Sequence, residues 1–440
     1  MAMCACFVNL NASVLSTTAA GMQPGTWAQI AASNQNPALG VGSISGTMIH
    51  FCNSMPWNPV SKVIEIIGQD HSYPALRHVR YDEATNQFIL VADNAGLGSG
   101  HGYDHNSLNP FTGDLYNRLY SGFSGSLSFK KKAYGTSSFV SIPSVPASDQ
   151  VAIGTCWWSG SFIGGGSQGS FMVFNSGNAT GTAKDGQIAA YNPLTNTWFY
   201  NQEGRAPNYG GGSTYHSLME YSAKKNVAVY GGGNVAPNKL WRMSSDGSVL
   251  AMPDVPAGKA VGIQRGLLTD DPATGNFLLL SAGQLWELNP DGAGTWTQQT
   301  GARVPPSGVG IPGPDPTITA VICTSIPDYG VVAYITQPNQ NNGTMFIYKH
   351  ASNSAATIAE KTHAEMAGLS VQPVPASVSG ILRISPVGPA AHYAVYDVGG
   401  KMIADLGGKT AWVPRGIKPG VYIVKAQMGG RTLCRKLILE

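Results

Sequence analysis

The chain has 440 residues, with 27 Lys and Arg against 24 Asp and Glu and a formal charge of +3. That length allows two or three domains. One dense basic run, Lys130-Lys131-Lys132, falls short of the basic stripe of a sequence-independent nucleic-acid binder. Charged residues are 12%, hydrophobic residues 43%, and 55 Gly with 28 Pro mark frequent turns. This composition fits a packed, turn-rich, all-β protein and not a disordered chain, and no apolar run reaches the length of about 18 residues that a membrane-spanning helix needs.

Met1 to Gly21 is moderately apolar and ends in the small residues Thr18-Ala19-Ala20, as export leaders do. No Lys or Arg precedes Lys62, so residues 1–23 read as an atypical or partial leader, or as a disordered tail. The six Cys form no C-x-x-C pair. Cys4 and Cys6 fall in the suspected leader, and Cys52, Cys156, Cys323 and Cys434 read as separate buried thiols, with a disulfide left open.

A lone strand, Gly25 to Ile30, comes next. Six segments then share one plan: a short strand, a tight turn, a β-branched or aromatic second strand, and two further strands around a polar turn. The second strands are the clearest, among them Val63-Ile64-Glu65-Ile66-Ile67, Asn226-Val227-Ala228-Val229-Tyr230 and Gly330-Val331-Val332-Ala333-Tyr334. Third strands carry Tyr or Trp, as in Lys239-Leu240-Trp241-Arg242 and Gln284-Leu285-Trp286-Glu287. Four strands recurring at a period of about 50 residues predict a propeller blade of the kelch size. With Gly231-Gly232-Gly233 between strands, the pattern resembles the kelch and galactose-oxidase-like propellers.

The sixth repeat stops after its third strand at His350, and Gly25-Thr26-Trp27 matches the fourth-strand run Gly294-Thr295-Trp296 in type. The N-terminal strand is therefore expected to complete the last blade. That gives a six-bladed, kelch-like β-propeller over residues 24–350, alternatively seven-bladed, with an open sandwich as the plainer alternative.

Residues 351–377 read as a linker. Over residues 378–440 short alternating strands appear: Tyr393-Ala394-Val395-Tyr396-Asp397, Gly420-Val421-Tyr422-Ile423-Val424 and Lys436-Leu437-Ile438-Leu439. Their order and spacing resemble the C-terminal sorting domain of the type IX secretion system. The resemblance implies a small Ig-like β-sandwich, the type IX secretion machinery as partner, and a secreted or cell-surface location. An accessory carbohydrate-binding module is the alternative.

Loops between second and third strands, and between blades, are long and rich in Gly and Asn: Asp93 to Gly100, Ser176 to Gly186, Gln202 to Gly212, Gly301 to Thr317 and Gln337 to Gly343. Scaffolds place function on such loops, so the site is expected at the channel mouth on that face. His71, His101, Tyr103, His105, Arg205, Tyr209, Tyr215, His216 and Arg265 map there.

Three functions fit that set. Removing the proton next to a uronate carboxylate needs a base, an acid and a cation, which His71, His105, His216, Tyr215 and Arg265 supply as a polysaccharide lyase would. His101, Tyr103, Arg205, Tyr209 and Trp157 would then contact an extracellular polysaccharide. A non-catalytic glycan- or protein-binding propeller needs only the stacking and polar groups. Finally, Tyr215-His216 with Gly231-Gly232-Gly233, Gly102-Tyr103 and Phe51-Cys52 resemble copper-site segments of galactose oxidase, which implies a copper radical oxidase. That family's second histidine ligand has no counterpart, because no His occurs between His216 and His350. The cofactor is left open, with one divalent metal (zinc, calcium or copper) as the candidate.

Overall fold

The structure is a computed structural model. It describes residues 12–41, 47–53, 55–68, 75–97, 105–119, 128–145, 154–160, 168–175, 188–202, 216–234, 236–263, 265–307, 309, 321–352, 371–372, 382–384, 392–397, 401–414, 417–428 and 431–439. The chain divides into two compact units, Met1–Asn353 and Ser354–Glu440.

The first unit is built from four-stranded antiparallel sheets. Sheet I holds Trp57–Asn58, Val63–Gly68, Arg77–Asp82 and Gln87–Ala92, and sheet II holds Asn106–Leu108, Leu115–Leu119, Ser128–Lys132 and Val140–Ile142. Sheet III runs from Gly154–Ser159 to Thr197–Gln202, sheet IV from Ser217–Ser222 to Val249–Ala251, and sheet V from Gly266–Asp270 to Thr295–Gln298. Sheet VI holds Val321–Ile326, Val331–Thr336 and Thr344–Lys349, and its fourth strand is Thr26–Ile30 from the start of the chain. Thr26 pairs with Lys349 and Ile30 with Met345.

Each pair of neighbouring sheets shares an apolar cluster. Ile67 and Leu115 join sheets I and II, and Tyr116 and Phe171 join II and III. Met172 and Tyr230 join III and IV, Leu218 and Leu279 join IV and V, and Leu280 and Val332 join V and VI. Ile64 and Ile335 then bring sheet VI back onto sheet I. The architecture is all-β and consistent with a β-propeller.

The second strands dictate this packing. They are buried on both faces, so they read as unbroken apolar runs and not as an alternating pattern. Phe277–Ser281 is buried at every residue. A recurring corner stiffens the turns at the far ends. The hydroxyl of Tyr81 donates to Asn86 Oδ1 at 2.9 Å, that of Tyr191 to Asn196 at 2.6 Å, and that of Tyr221 to Asn226 at 2.7 Å. All three Asn have positive φ, between 52° and 58°, which Asn tolerates because its short amide bonds the local backbone.

Closure adds polar ties to the apolar seam between sheets VI and I. Asp328, after the first strand of sheet VI, accepts from the Trp57 indole and from Lys62 Nζ at 2.6 Å. The Tyr329 hydroxyl donates to Glu83 at 2.6 Å, and Ser13 also bonds that carboxylate. Ser13 caps the helix Val14–Gly21, accepting from the Ser16 N–H. Residues expected as a leader or tail thus include a packed helix, with Leu15 and Ala19 buried in the closing cluster. On the other side of sheet VI, Trp27 stacks on Tyr348 at 4.5 Å and donates to the Arg303 carbonyl at 3.1 Å.

The second unit pairs Met402–Gly407, His392–Asp397, Gly420–Met428 and Arg431–Leu439 in one sheet, and Val371–Gln372, Leu382–Ile384 and Ala411–Trp412 in another. Its core is Tyr393, Val395, Tyr422, Val424, Leu437 and Leu439 from the first sheet with Ile384 from the second. The expected strands occur here.

Because Trp27 holds the closing strand by ring stacking and an indole hydrogen bond, Trp27→Ala is expected to lower the stability of the first unit by about 2–3 kcal/mol. Denaturant unfolding followed by circular dichroism checks this.

Candidate functional site

The innermost strand of a sheet has an inner edge with no further strand to pair it, so its N–H and C=O groups need other partners. Here the segment 47–55 supplies some of them. Asn53 donates from Nδ2 to the Leu268 carbonyl and accepts from the Leu268 N–H at Oδ1, both at 3.0 Å. An asparagine amide presents a donor and an acceptor side by side, as a peptide does, so Asn53 stands in for a strand residue on sheet V. Its own carbonyl accepts from the Cys323 N–H of sheet VI at 2.7 Å, and its Nδ2 lies 3.4 Å from Glu220 Oε1 of sheet IV. Met48, Ile49 and Met55 are buried between sheets I and VI, while Phe51 packs on the cluster between IV and V. The segment therefore crosses from one side of the ring to the other. Cys52 and Cys323 are buried within this region.

His105, His216 and Arg265 each immediately precede an innermost strand, of sheets II, IV and V. His216 has φ 68°, a left-handed conformation uncommon outside Gly and one that marks sites under functional constraint. Its carbonyl accepts from the Ile263 N–H at 3.0 Å. The turn from Gly262 to Gly266 is closed by the Arg265 and Gly266 N–H groups on the Gly262 carbonyl, at 2.9 and 3.0 Å. This turn brings Arg265 and His216 together from adjacent sheets. The Phe51 ring sits 6.0 Å from His216 and 4.5 Å from His50, and all three rings are partly exposed. Among the described residues the Arg265 side chain, also partly exposed, has no hydrogen-bond or ion-pair partner.

His105 is placed differently. It is 1% exposed, and its carbonyl accepts from the N–H of Arg118, itself 1% exposed. Asn117 Nδ2 donates to Asn106 Oδ1 at 2.7 Å, and Asn106 Nδ2 to the Ile67 carbonyl at 3.1 Å. This is an enclosed polar cluster. Trp157, expected as a sugar-stacking surface, is 4% exposed and packs with Met172, Tyr230 and Trp241 between sheets III and IV. A ring held there offers no face to a ligand, because the sheets close on it. Six further expectations, His71, His101, Tyr103, Arg205, Tyr209 and Tyr215, lie outside the described residues. Of the side chains the copper resemblance needs, His216 and Cys52 are described. Among the described residues no group of three or more His, Cys, Asp or Glu is placed to hold a metal ion.

Several buried polar groups carry no clear signal in the sequence. Arg118 lies in Leu115-Tyr116-Asn117-Arg118-Leu119, where alternation with apolar residues placed it on a strand and gave no sign of its burial. Asn53 sits in a segment without periodicity. Asp270 ends the innermost strand of sheet V and accepts from Ser325 of sheet VI; burial pushes its carboxyl up to about 7, and the neighbouring Asp271 adds to the shift. The doublet Asp270-Asp271 was visible, but it reads equally well as turn chemistry. Asp271 does serve as a turn cap, accepting from Thr274 N and Oγ1 at 2.9 and 2.6 Å.

No family model matches the chain, and no curated protein matches it. Among solved structures, it is similar to PorZ of the type IX secretion system of Porphyromonas gingivalis, at 11% identity and TM-score 0.33, over 86% of this chain and 58% of that one. The extracellular domain of BT4673 from B. thetaiotaomicron matches at 10% identity and TM-score 0.38, over 91% of this chain and 52% of the other. An α-L-arabinanase from Penicillium chrysogenum complexed with arabinobiose matches at 11% identity and TM-score 0.42, over 68% and 92%. The chain thus spans little more than half of the first two proteins. At this similarity its function rests on its own residues. No helix among the described residues is long and apolar enough to cross a membrane.

Gly68 faces the crossing segment so closely that a Cβ would lie 2.5 Å from the Met48 carbonyl and 3.2 Å from Cys52 Sγ. Gly68→Ala is expected to loosen the segment and raise the reaction rate of Cys52 with a disulfide reagent at least about tenfold, as peptide mapping would show. For Asp270, whose folded pKa of about 7 exceeds the ordinary aspartate value of 3.8, the folded state binds the extra proton between those values, so stability falls as pH rises through that window. Asp270→Asn is expected to stabilise the protein by about 2 kcal/mol at pH 8 and to gain nothing at pH 3, measured by urea unfolding at both pH values.

Proposed function

We propose that the chain is a secreted or cell-surface, six-bladed, kelch-like propeller that binds an acidic extracellular polysaccharide at the mouth formed by Phe51, His216 and Arg265. The observation that carries this reading is the Arg265 side chain, without a partner among the described residues, on the turn whose Ile263 N–H bonds the His216 carbonyl, with the partly exposed Phe51 and His216 rings 6.0 Å apart. A guanidinium takes a carboxylate in two parallel hydrogen bonds, and an aromatic ring offers a face to a sugar ring. Asn53 bridges sheets IV, V and VI. A polymer would therefore lie across the mouth and not thread the ring. The Ser354–Glu440 unit, with its type IX resemblance, would direct export as a small Ig-like sandwich.

The strained backbone of His216 next to Arg265 favours one second reading, β-elimination on the same polymer. Arg265 would neutralise the uronate carboxylate, His216 would take the α-proton, and Tyr215 would protonate the leaving oxygen. The enclosed His105 would then support the site from below.

Affinity electrophoresis through polygalacturonate, with neutral dextran as control, tests the binding reading. The wild type is expected to be retarded by polygalacturonate alone, and Arg265→Ala to weaken binding about tenfold or more, equivalent to about 1.4 kcal/mol. Equal mobility of the two in polygalacturonate would overturn it. An ultraviolet absorbance of unsaturated uronide, lost in His216→Ala, would move the assignment to the lyase.

A further inference from the structure

A second polar cluster lies where sheet I meets sheet II, and the mouth does not use it. Glu65 is on Val63–Gly68, His78 on Arg77–Asp82 and Lys132 at the end of Ser128–Lys132. His78 Nε2 is 2.7 Å from Glu65 Oε2, with the two side chains 3% and 15% exposed. Lys132 Nζ is 3.4 Å from His78 Nδ1. The Phe139 ring stands edge-on to the imidazole at 6.5 Å.

Proton accounting orders these contacts. An ionised carboxylate only accepts, so Glu65 fixes the imidazole proton on Nε2. Nδ1 is then left with its lone pair directed at Lys132. A proton passing from the ammonium to Nδ1 yields a neutral amine and an imidazolium held by Glu65. Nucleophile, base and orienting carboxylate stand in the relation that activates covalent catalysts. Burial lowers the Lys132 pKa, Glu65 opposes that shift and Arg80 adds to it. Lys132 remains partly exposed.

Its neighbours on the strand differ. Lys131 is ion-paired to Asp114 at 2.8 Å, and Lys130 donates to the Gly96 carbonyl at 2.7 Å. The dense basic run of the sequence therefore separates into three distinct environments.

We propose that Lys132 is a nucleophilic lysine, with His78 as its base and Glu65 as the positioning residue, that condenses with small aldehydes, open-chain sugars among them. The neutral amine nitrogen bonds to the carbonyl carbon as the carbonyl oxygen takes the proton held on His78 Nδ1, which gives a carbinolamine with a positively charged nitrogen. Nδ1 then takes one proton from that nitrogen and passes it to the hydroxyl, which leaves as water while the nitrogen lone pair forms the C=N bond, and a protonated imine remains. No oxidant or reductant takes part.

The test treats the full chain with glyceraldehyde and sodium cyanoborohydride near pH 7, and maps the reduced adduct by peptide mass spectrometry. Lys132 is expected to label about tenfold faster than Lys130 and Lys131. His78→Gln should bring it to their rate without altering theirs. Because His78 is enclosed, Glu65→Gln and the wild-type pH profile serve where that variant fails to fold. Lys132 labelling should reach half its maximum at lower pH than Lys130, and Glu65→Gln should slow it. Equal labelling of the three lysines, coincident pH profiles, or unchanged Lys132 rates in the folded variants would overturn the proposal.

Discussion

The pairing of Thr26–Ile30 with Thr344–Lys349 is the contact on which the first unit depends. Without it, sheet VI ends in a strand with unpaired backbone groups, and the chain terminus is not anchored. Closure also makes every other sheet interface cooperative. The apolar cluster of each pair of sheets includes residues whose strands are held from the other side by the next pair. Polar ties on the seam reinforce it from two directions. Glu83 and Asp328 collect donors from sheets I and VI and from the leading helix. Arg303 donates to the His350 carbonyl at 2.8 Å, and His350 Nε2 is 3.0 Å from Glu287. Burial alone would raise the Glu287 pKa, but hydrogen bonds from His350 and Asn276 hold it below the usual carboxylate range.

Closing a ring of sheets leaves inner edges on all of them, and that geometric debt explains the segment 47–55. Asn53 satisfies sheets V and VI at once, and its placement requires Gly68, where no side chain fits. The same crossing shapes the candidate site. In the proposed binding mode, ligand chemistry is carried by a turn and two ring systems that strand termini position. Rigid strands thus hold His216 and Arg265, while side-chain chemistry stays accessible, the usual division of labour between scaffold and loop.

Buried ionisable groups between sheets form a second theme. The Glu65–His78–Lys132 chain and the Glu287–His350–Arg303 chain both place an imidazole between a carboxylate and a cation. Buried ion pairs add little net stability once desolvation is counted, so conformational specificity or chemistry is the better account of each. The two chains differ in their outer member. The guanidinium of Arg303 cannot give up its proton, whereas the amine of Lys132 can. Only the first-sheet cluster therefore has a group able to become a nucleophile.

Much of the architecture was legible from local pattern. Apolar second strands such as Phe277–Ser281 and the unfinished sixth repeat report on near neighbours in sequence, and the unmatched run Gly25-Thr26-Trp27 pointed to its distant partner by type. The positions of His216 and Arg265, each just before an innermost strand, followed from repeat register alone. What only tertiary structure decided was which groups are enclosed and which meet. Trp157 and His105 carry the composition of a ligand site, yet the packing of sheets III on IV and I on II buries them. Asn53, Arg118 and the partners of Lys132 have no local signature, because each is defined by residues from another sheet. The sequence by itself determined the strands and their order, since periodicity is a property of the chain. The site needed the fold, since burial and proximity are properties of the packed ring.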